Sequence, residues 1–159
     1  MHIEPYSFAY LDSIIQLSLR AWSPVFLSIK ETLSDELYQT FYPDRWEISQ
    51  QKAVEAACNA KEMTVWVGKE RDLVVGFIAV KLHQEDKLGE IHMVAVDPDF
   101  QGRGVGSSLI HFALGWMKDE GMSIAIVETG ADHGHTPARH TYEKAGFEPF
   151  PLVRYFKHL

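Results

Sequence analysis

The sequence predicts a mixed α/β fold of the α+β type, in which a mixed, mostly antiparallel central sheet is flanked by helices. Three observations support this prediction: the first sixty residues have helical periodicity, β-branched runs follow them, and the last third alternates between helix and strand patterns. The order after residue 60, strand–strand–strand–helix–strand–helix–strand, is typical of a sheet covered by helices. A chain of 159 residues is long enough for one such domain with its own core.

The first sixty residues predict a short strand and three helices. Residues 2–5 can form the strand, and Ser7 is a suitable N-cap because apolar residues recur after it at spacings of three and four. We expect Pro24 to end this first helix, since proline lacks the amide that an inner turn requires. The second and third helices are predicted over residues 30–42 and 46–60.

The middle of the chain has the period of strands. Met63–Lys69 and Leu73–Leu82 are rich in β-branched residues and are joined by a short polar turn, which predicts a hairpin. Leu88–Val96 is expected to be the next strand, ended by the proline at position 98.

The last third of the chain alternates between helix and strand. An amphipathic helix is predicted over residues 104–120, and Gly121 can end it in the left-handed conformation. Ser123–Thr129 is a nearly continuous apolar run, typical of a strand buried on both faces. A helix that begins near Pro137 and a strand over Phe147–Phe156 complete the predicted domain.

Composition and charge exclude several classes of protein. The 15 Lys and Arg residues stand against 22 Asp and Glu, so the net charge is −7, which is unfavourable for binding nucleic acid. The lone Cys58 excludes an intramolecular disulfide and a cysteine-based zinc site. No signal peptide and no apolar run of about 20 residues are found, so we expect a cytoplasmic protein without a membrane partner.

The most informative segment is a strand that enters a turn with three alternating glycines and then a helix. The first amides of a helix have no internal partner and lie at the positive end of its dipole. Gly102, Gly104 and Gly106 let the backbone approach an anion without interference from a Cβ atom. Together these features predict a cradle for a pyrophosphate.

The three glycines have three other interpretations. A tight turn with glycines for packing alone is the simplest one. A dinucleotide fingerprint lacks the required spacing of the third glycine, and a nucleotide P-loop is excluded because no Gly-Lys-Ser/Thr follows. A cradle for coenzyme A is the interpretation that the rest of the sequence favours.

Two blocks resemble those of the GNAT superfamily of N-acetyltransferases. Gln101-Gly-Arg-Gly-Val-Gly106 resembles the signature Gln/Arg-x-x-Gly-x-Gly/Ala, and Ala138-Arg-His-Thr-Tyr-Glu-Lys-Ala-Gly-Phe147 is similar to the family block Ala-x-x-x-Tyr-Glu-Lys-x-Gly-Phe. The resemblance covers about residues 63–150. It implies the acyl-CoA N-acyltransferase fold as a single domain over residues 1–159, with 1–60 on the acceptor side and 63–150 as the acetyl-CoA-binding core.

The resemblance implies acetyl-CoA as co-substrate, bound in a V-shaped opening between strands 88–96 and 123–129, with a bulge in the first strand. Main-chain groups there would bind the pantetheine arm, and the amide near Val94 would polarise the thioester carbonyl. Arg103 either adds a cation or is an ordinary exposed arginine. Many family members carry Asn where this chain has His135, so a cofactor contact by His135 stays open. The implied cofactor-binding residues are Val94, Ala95, Val96, Gln101, Gly102, Arg103, Gly104, Val105, Gly106, Ser107 and His135.

Tyr142 and Glu90 are the predicted catalytic residues. A phenol with a pKa of about 10 can give a proton to the departing thiolate, although a tyrosine here could also simply pack its ring. Glu90 matches the base position of part of the family, and its other interpretation is an exposed strand-end carboxylate. Alternation places Glu90, His92 and Val94 on one face, so His92 is an alternative base.

The expected acceptor is a primary amine of a small molecule or a peptide, which attacks the thioester directly. Candidates to line its pocket, and equally candidates for the core, are Trp22, Phe26, Tyr42 and Trp46, together with His92. A non-catalytic acyl-CoA-binding sensor of the same fold is the alternative function.

A metal-dependent enzyme built on Asp132, His133, His135 and His140 is a further alternative. Because a zinc site needs three or four converging ligands, we expect polar loop residues here and no metal. The sequence leaves the acceptor's identity and a homodimer open.

Overall fold

The computed structural model describes residues 1–159 as one five-stranded sheet with five α-helices. The strands are β1 (His2–Pro5), β2 (Met63–Glu70), β3 (Leu73–His83), β4 (Leu88–Val96) and β5 (Ile124–Val127). The helices are α1 (Leu11–Thr32), α2 (Asp35–Phe41), α3 (Trp46–Asn59), α4 (Val105–Asp119) and α5 (Thr136–Lys144). None of these helices has the length together with the apolar character that crossing a membrane requires.

The strands lie in the sheet in chain order, from β1 at one edge to β5 at the other. Neighbours from β1 to β4 are antiparallel, with short turns joining β2 to β3 and β3 to β4, whereas β5 joins β4 in parallel after the crossover through α4. The predicted fold class, a mixed and mostly antiparallel sheet flanked by helices, is confirmed.

Two hydrophobic cores lie on opposite faces of the sheet. Helices α1 and α3 cover one face, in a cluster that includes Ile14, Val54 and Phe77. Helix α4 covers the other face, where Leu109 packs with Ile78. Because strand side chains alternate between faces, one strand such as β3 supplies both cores, with Phe77 to the first and Ile78 to the second.

Helix α1 continues past Pro24 to Thr32, so the prediction that this proline ends the helix is wrong. Proline in a helix interior costs roughly 3 kcal/mol because it removes an amide donor and crowds the preceding turn. The continuation buries Phe26, whose ring stacks on Trp46 with centroids 4.5 Å apart. Tertiary packing therefore overrides the local preference.

The stretch predicted as one helix over residues 30–42 is divided. Its start belongs to α1, Leu33 has extended backbone, and α2 follows Ser34. The Ser34 hydroxyl accepts a hydrogen bond from the Leu37 amide at 3.3 Å, so it caps a new helix. Ser7, the predicted cap of α1, instead precedes a 3₁₀ turn and makes no side-chain capping bond.

Strand β5 is an edge strand, which contradicts the prediction that Ser123–Thr129 is buried on both faces. Ile124 and Ile126 are 62% and 44% exposed. Ala125 and Val127, between and after them, pack against the α4 core. A run of apolar residues does not reveal whether a further element covers its second face, and here none does.

Residues 148–159 form no strand, so the predicted closing strand over Phe147–Phe156 is wrong. No backbone hydrogen bond involves these residues. Pro149 and Pro151 lack the amide donors that a strand uses to pair, which weakens any ladder this segment could form.

Gly76→Ala in β3 should lower the free energy of unfolding. An added Cβ would lie 2.9 Å from the carbonyl oxygen of Ala95 and 3.0 Å from Leu109. Backbone cannot yield as a flexible side chain would, so we expect a loss of roughly 2 kcal/mol, within the usual range for overpacking. Urea unfolding monitored by circular dichroism measures it.

Gly115→Ala is the matched control, since a Cβ in this part of α4 meets no atom within 4 Å. Alanine favours the helix by up to about 1 kcal/mol over glycine, so this variant should be slightly more stable than wild type. Equal stability of Gly76→Ala and the wild-type protein would contradict the packing described for β3.

Candidate functional site

The site is built where β4 and β5 separate. Their parallel pairing covers only four positions and ends at Ile91 opposite Val127, while β4 continues to Val96. Residues 92–96 therefore have β3 on one edge and no strand on the other. The divergence creates an opening between two parallel strands, the geometry that the family resemblance implied.

A β-bulge in β4 lies at the start of this opening. Ala79 of β3 pairs with Met93, and the next residue, Val80, pairs with Ile91. His92 is therefore the extra residue of β4, and it sits where the partner strand leaves. Bulges bend a strand and leave main-chain groups unpaired, which suits the edge of a binding cleft.

The bulge also overturns the prediction that Glu90, His92 and Val94 share one face, because it reverses the alternation beyond it. Ile91 and Val94 both pack against the α4 core. Glu90, next to Ile91, therefore points to the opposite face, the one that α1 and α3 cover.

The main chain of β4 presents Val94 and Val96 to the opening. The Asp97 amide donates to the Val75 carbonyl at 2.9 Å, so the groups of residue 97 point towards β3. Because main-chain groups alternate between the two edges of a strand, those of Val94 and Val96 point towards the edge that β5 has left. Ala95 has the reverse arrangement, with its main chain towards β3 and its side chain in the core.

The glycine loop after β4 leaves amides free at the start of α4. Gly102 and Gly104 have φ values of 73° and 82°, and a Cβ on either would meet no atom within 4 Å. Glycine is thus needed for the backbone conformation, and the space beside it is open. The Ser108 amide donates to Gly104 at 2.9 Å as the first helical bond, so the amides of residues 105–107 have no helical acceptor.

Three elements meet beside this loop. Gln101 Nε2 donates to the Val96 carbonyl at 3.1 Å and so ties the loop to the end of β4. A Cβ on Gly106 would stand 3.5 Å from Val96 Cγ2 and 4.0 Å from Thr141 Cγ2 of α5. The end of β4, the start of α4 and helix α5 are therefore adjacent.

Two arginines make ion pairs around the loop. Arg20 of α1 donates to both carboxylate oxygens of Asp97, at 3.0 and 2.8 Å, and to Asp99 at 2.8 Å. Arg103 is half-exposed, and its guanidinium lies 3.3 Å from the Glu70 carboxylate. Sequence reasoning missed Arg20 because its partners, Asp97 and Asp99, are far away in the sequence. No local pattern around a single helical arginine indicates such an ion pair.

Tyr142 lies on α5, with its ring against the α4 core. The ring also contacts Phe147 edge-on, with centroids 6.0 Å apart. Burial raises the pKa of Tyr142 to about 12. The phenol therefore keeps its proton at neutral and moderately alkaline pH, which a proton donor requires.

Glu90 lies between two histidines, His83 of β3 and His92 of β4. Glu90 Oε2 is 2.8 Å from His83 Nε2, and Oε1 is 3.5 Å from His92 Nδ1. The hydrogen bond from His83 lowers the pKa of Glu90; it outweighs the opposing effect of partial burial, and His92 lowers the pKa further. Sequence reasoning missed His83, which the register of β3 against β4 places diagonally across from Glu90.

A hydrogen-bond network joins α1 to the loop that precedes α5. Ser28 is fully buried, donates to Asp132 and accepts from the Gly134 amide at 3.0 Å. The second oxygen of Asp132 is 2.6 Å from His135 Nδ1. Burial alone would raise the pKa of Asp132, but the hydrogen bonds from Ser28 and His135 lower it overall. His135 thus has one engaged nitrogen and a free Nε2.

The glycines of this loop are explained by the network. A Cβ on Gly130 would lie 2.5 Å from His135 Nδ1, and one on Gly134 would lie 2.6 Å from Ser28 Cβ. Only glycine permits so close an approach. The sequence shows Gly130 and Gly134 beside Asp and His residues, but it does not show that their partner is Ser28 on α1.

The histidines of the loop before α5 point to different partners and do not converge on one point. No group of three His, Cys, Asp or Glu residues in the chain is arranged to hold a metal ion. His133 lies 3.3 Å from the Ser28 hydroxyl and 3.4 Å from Glu31, on the side of α1, while His135 turns to Asp132.

Three of the four aromatic residues suggested for the acceptor side form one cluster. Phe26 stacks on Trp46 and meets Tyr42 edge-on, with ring centroids 5.2 Å apart. The pKa of Tyr42 is raised by burial and by the neighbouring Tyr38. Trp22 is separate from them and packs against the core under α1.

Comparison with known proteins agrees with this architecture. Residues 33–147 match the family model described as the acetyltransferase (GNAT) family. Mycothiol acetyltransferase of Cellulomonas flavigena is 45% identical over 62 residues, which are 39% of this chain and 17% of that protein. The chain thus spans well under two thirds of that relative's length.

Two solved structures share the fold at low sequence identity. Aminoglycoside N-acetyltransferase AAC(6')-Iy in complex with CoA has a TM-score of 0.68 and 15% identity, over 99% of this chain and 93% of that one. Ribosomal-protein-S18-alanine N-acetyltransferase from Escherichia coli has a TM-score of 0.70 and 16% identity, over 94% of this chain and 79% of that one. With the family model covering most of its length, the chain belongs to the GNAT family of acetyltransferases.

Proposed function

We propose that this protein transfers the acetyl group of acetyl-CoA to a primary amine of a small molecule or a peptide. The observation that carries the proposal is the opening between β4 and β5, which has a free main-chain edge on one side and the start of α4 at its end. A carrier with a peptide-like arm and a pyrophosphate needs these two features next to each other.

The residues present fit acetyl-CoA. Main-chain groups of Val94 and Val96 would pair with the pantetheine arm as an added strand does. The free amides of residues 102–107 would bind the pyrophosphate, with Arg103 as a nearby cation. His135 would add a hydrogen bond through Nε2, because Asp132 already holds its other nitrogen. Acetyl-CoA supplies the activated acyl group.

Glu90 and Tyr142 would carry the proton transfers. The amine nitrogen attacks the carbonyl carbon, one N–H bond breaks, and Glu90 takes the proton. The carbon–sulfur bond then breaks, and the Tyr142 hydroxyl gives its proton to the departing sulfur. The Val94 amide would donate to the carbonyl oxygen while charge develops on it. Attack is direct, since the buried Cys58 has its pKa raised by burial to about 11 and is a poor nucleophile.

The similar proteins and the charge of the chain support an amine acceptor. The solved structures described above are named as N-acetyltransferases of aminoglycosides and of a protein alanine. The net charge of −7 favours approach of cations over anions. The aromatic cluster of Phe26, Tyr42 and Trp46 lies on the helices of the acceptor side, where rings can attract an ammonium group.

A panel assay tests the proposed function. The protein is given acetyl-CoA with a polyamine, an aminoglycoside and a short peptide, and release of free thiol is followed with a thiol reagent. We expect release that depends on one class of amine, with a matching gain of one acetyl mass on that amine. Binding of acetyl-CoA with no turnover across a broad panel would favour the non-catalytic sensor.

Tyr142→Phe and Glu90→Gln should each lower kcat by about 10²–10⁴-fold, the usual contribution of an acid or base. Both variants lose a proton-transfer group and keep the shape of the site, so the Kd of acetyl-CoA from calorimetry should stay unchanged. Because the pKa of Tyr142 is about 12, the phenol stays protonated at pH 9, and Tyr142→Phe should not alter the alkaline side of the pH profile. A wild-type kcat in either variant would contradict the proton-transfer role proposed for that residue.

Gly104→Ala should weaken acetyl-CoA binding by about tenfold, since a left-handed residue other than glycine costs roughly 1–3 kcal/mol and would distort the loop. Isothermal calorimetry measures the change. Gly115→Ala in the same helix serves as control and should bind like wild type. Unchanged binding by Gly104→Ala would count against the loop as the pyrophosphate site.

A further inference from the structure

His83 contacts Glu90 but has no part in the chemistry described so far. Its Nε2 lies 2.8 Å from Glu90 Oε2, and both side chains are about one third exposed, at 35% and 34%. An ionised carboxylate can only accept hydrogen bonds, so His83 Nε2 carries the hydrogen and donates it. Such a charge-assisted bond is stronger than one between neutral groups.

The register of the hairpin holds the two residues together. Lys81 pairs with Glu90 and His83 pairs with Leu88, so His83 and Glu90 are diagonal neighbours on the same face of adjacent strands. A shift by one residue would place them on opposite faces. The bond is therefore fixed by the backbone and does not depend on a mobile loop.

The two oxygens of Glu90 are not equivalent. Oε2 is engaged by His83, whereas Oε1 is 3.5 Å from His92 Nδ1, too long for a good hydrogen bond. His92 is the bulged residue at the start of the opening. Oε1 thus keeps free lone pairs and is the carboxylate oxygen that lies nearer to His92.

We propose that His83 is a positioning residue: it holds Glu90 by Oε2 so that Oε1 accepts the proton of the acceptor amine. In that step the lone pair of the amine nitrogen attacks the acetyl carbon, an N–H bond of that nitrogen breaks, and the O–H bond forms on Oε1. This inference rests on the proposed function.

His83→Leu removes the donor and His83→Gln restores one, since the glutamine amide can occupy the place of Nε2. We expect His83→Leu to lower kcat by about 10- to 100-fold, as misplacement of a catalytic group does, with the KM for acetyl-CoA unchanged. His83→Gln should return kcat to within about threefold of wild type. Steady-state kinetics with the best amine of the panel give both values.

His2→Leu is the matched control. His2 Nε2 also lies close to a carboxylate, 3.3 Å from Glu4, but on β1 at the far edge of the sheet. We expect wild-type kcat for this variant. Thermal unfolding of all three variants shows that they are folded, and ¹⁵N NMR of the wild type should find the hydrogen of neutral His83 on Nε2.

Three outcomes would overturn the role of His83. Wild-type kcat in His83→Leu would show that Glu90 needs no positioning. Equal losses in His83→Leu and His83→Gln would show that the donor is not what matters. If the wild-type protein acetylates no amine, the proposed function fails, and the role of His83 fails with it. If the wild type is active and His83→Leu is equally active, only the role of His83 fails.

Discussion

Four positions of parallel pairing between β4 and β5 are the constraint on which the rest of the molecule depends. The crossover through α4 brings β5 alongside β4, and the strands then part at Ile91 and Val127. A longer ladder would pair the main-chain groups of Val94 and Val96 with β5. Without any ladder, β5 would not be bound to the sheet. The bulge at His92 sits at this branch point and sends Glu90 and Val94 to opposite faces.

Helix α1 is the second determinant, because it contacts both sides of the opening. Arg20 holds the turn after β4, and Ser28, two helical turns later, holds the loop after β5. The bond from Ser28 needs α1 to run on through Pro24, which lies between the two residues. The helix is therefore a brace across the cleft as well as a cover for the core, and its proline is tolerated because packing and these polar contacts offset the local cost.

The sequence predicted what repeats locally and missed what depends on distant partners. The limits of β4 and the glycine loop followed from alternation and helix-start chemistry, and the structure has both. The bulge at His92, the open face of Ile126 and the bond from His83 to Glu90 depend on which elements become neighbours, so no periodicity encodes them. Pro24 and Phe147–Phe156 show the same limit. Local propensity predicts a helix end at Pro24 and a strand over Phe147–Phe156, and the structure has neither.

The C-terminal segment, residues 148–159, has a consequence for handling the protein. Only side chains attach it: Arg154 to Glu128 at 3.0 Å, His158 to Glu36 at 3.5 Å, and Phe156 to Phe41 with ring centroids 5.0 Å apart. Local opening of such a stretch costs little free energy, so its amides exchange with deuterium first and proteases reach it first. A fluorophore or affinity tag placed there would leave both hydrophobic layers undisturbed.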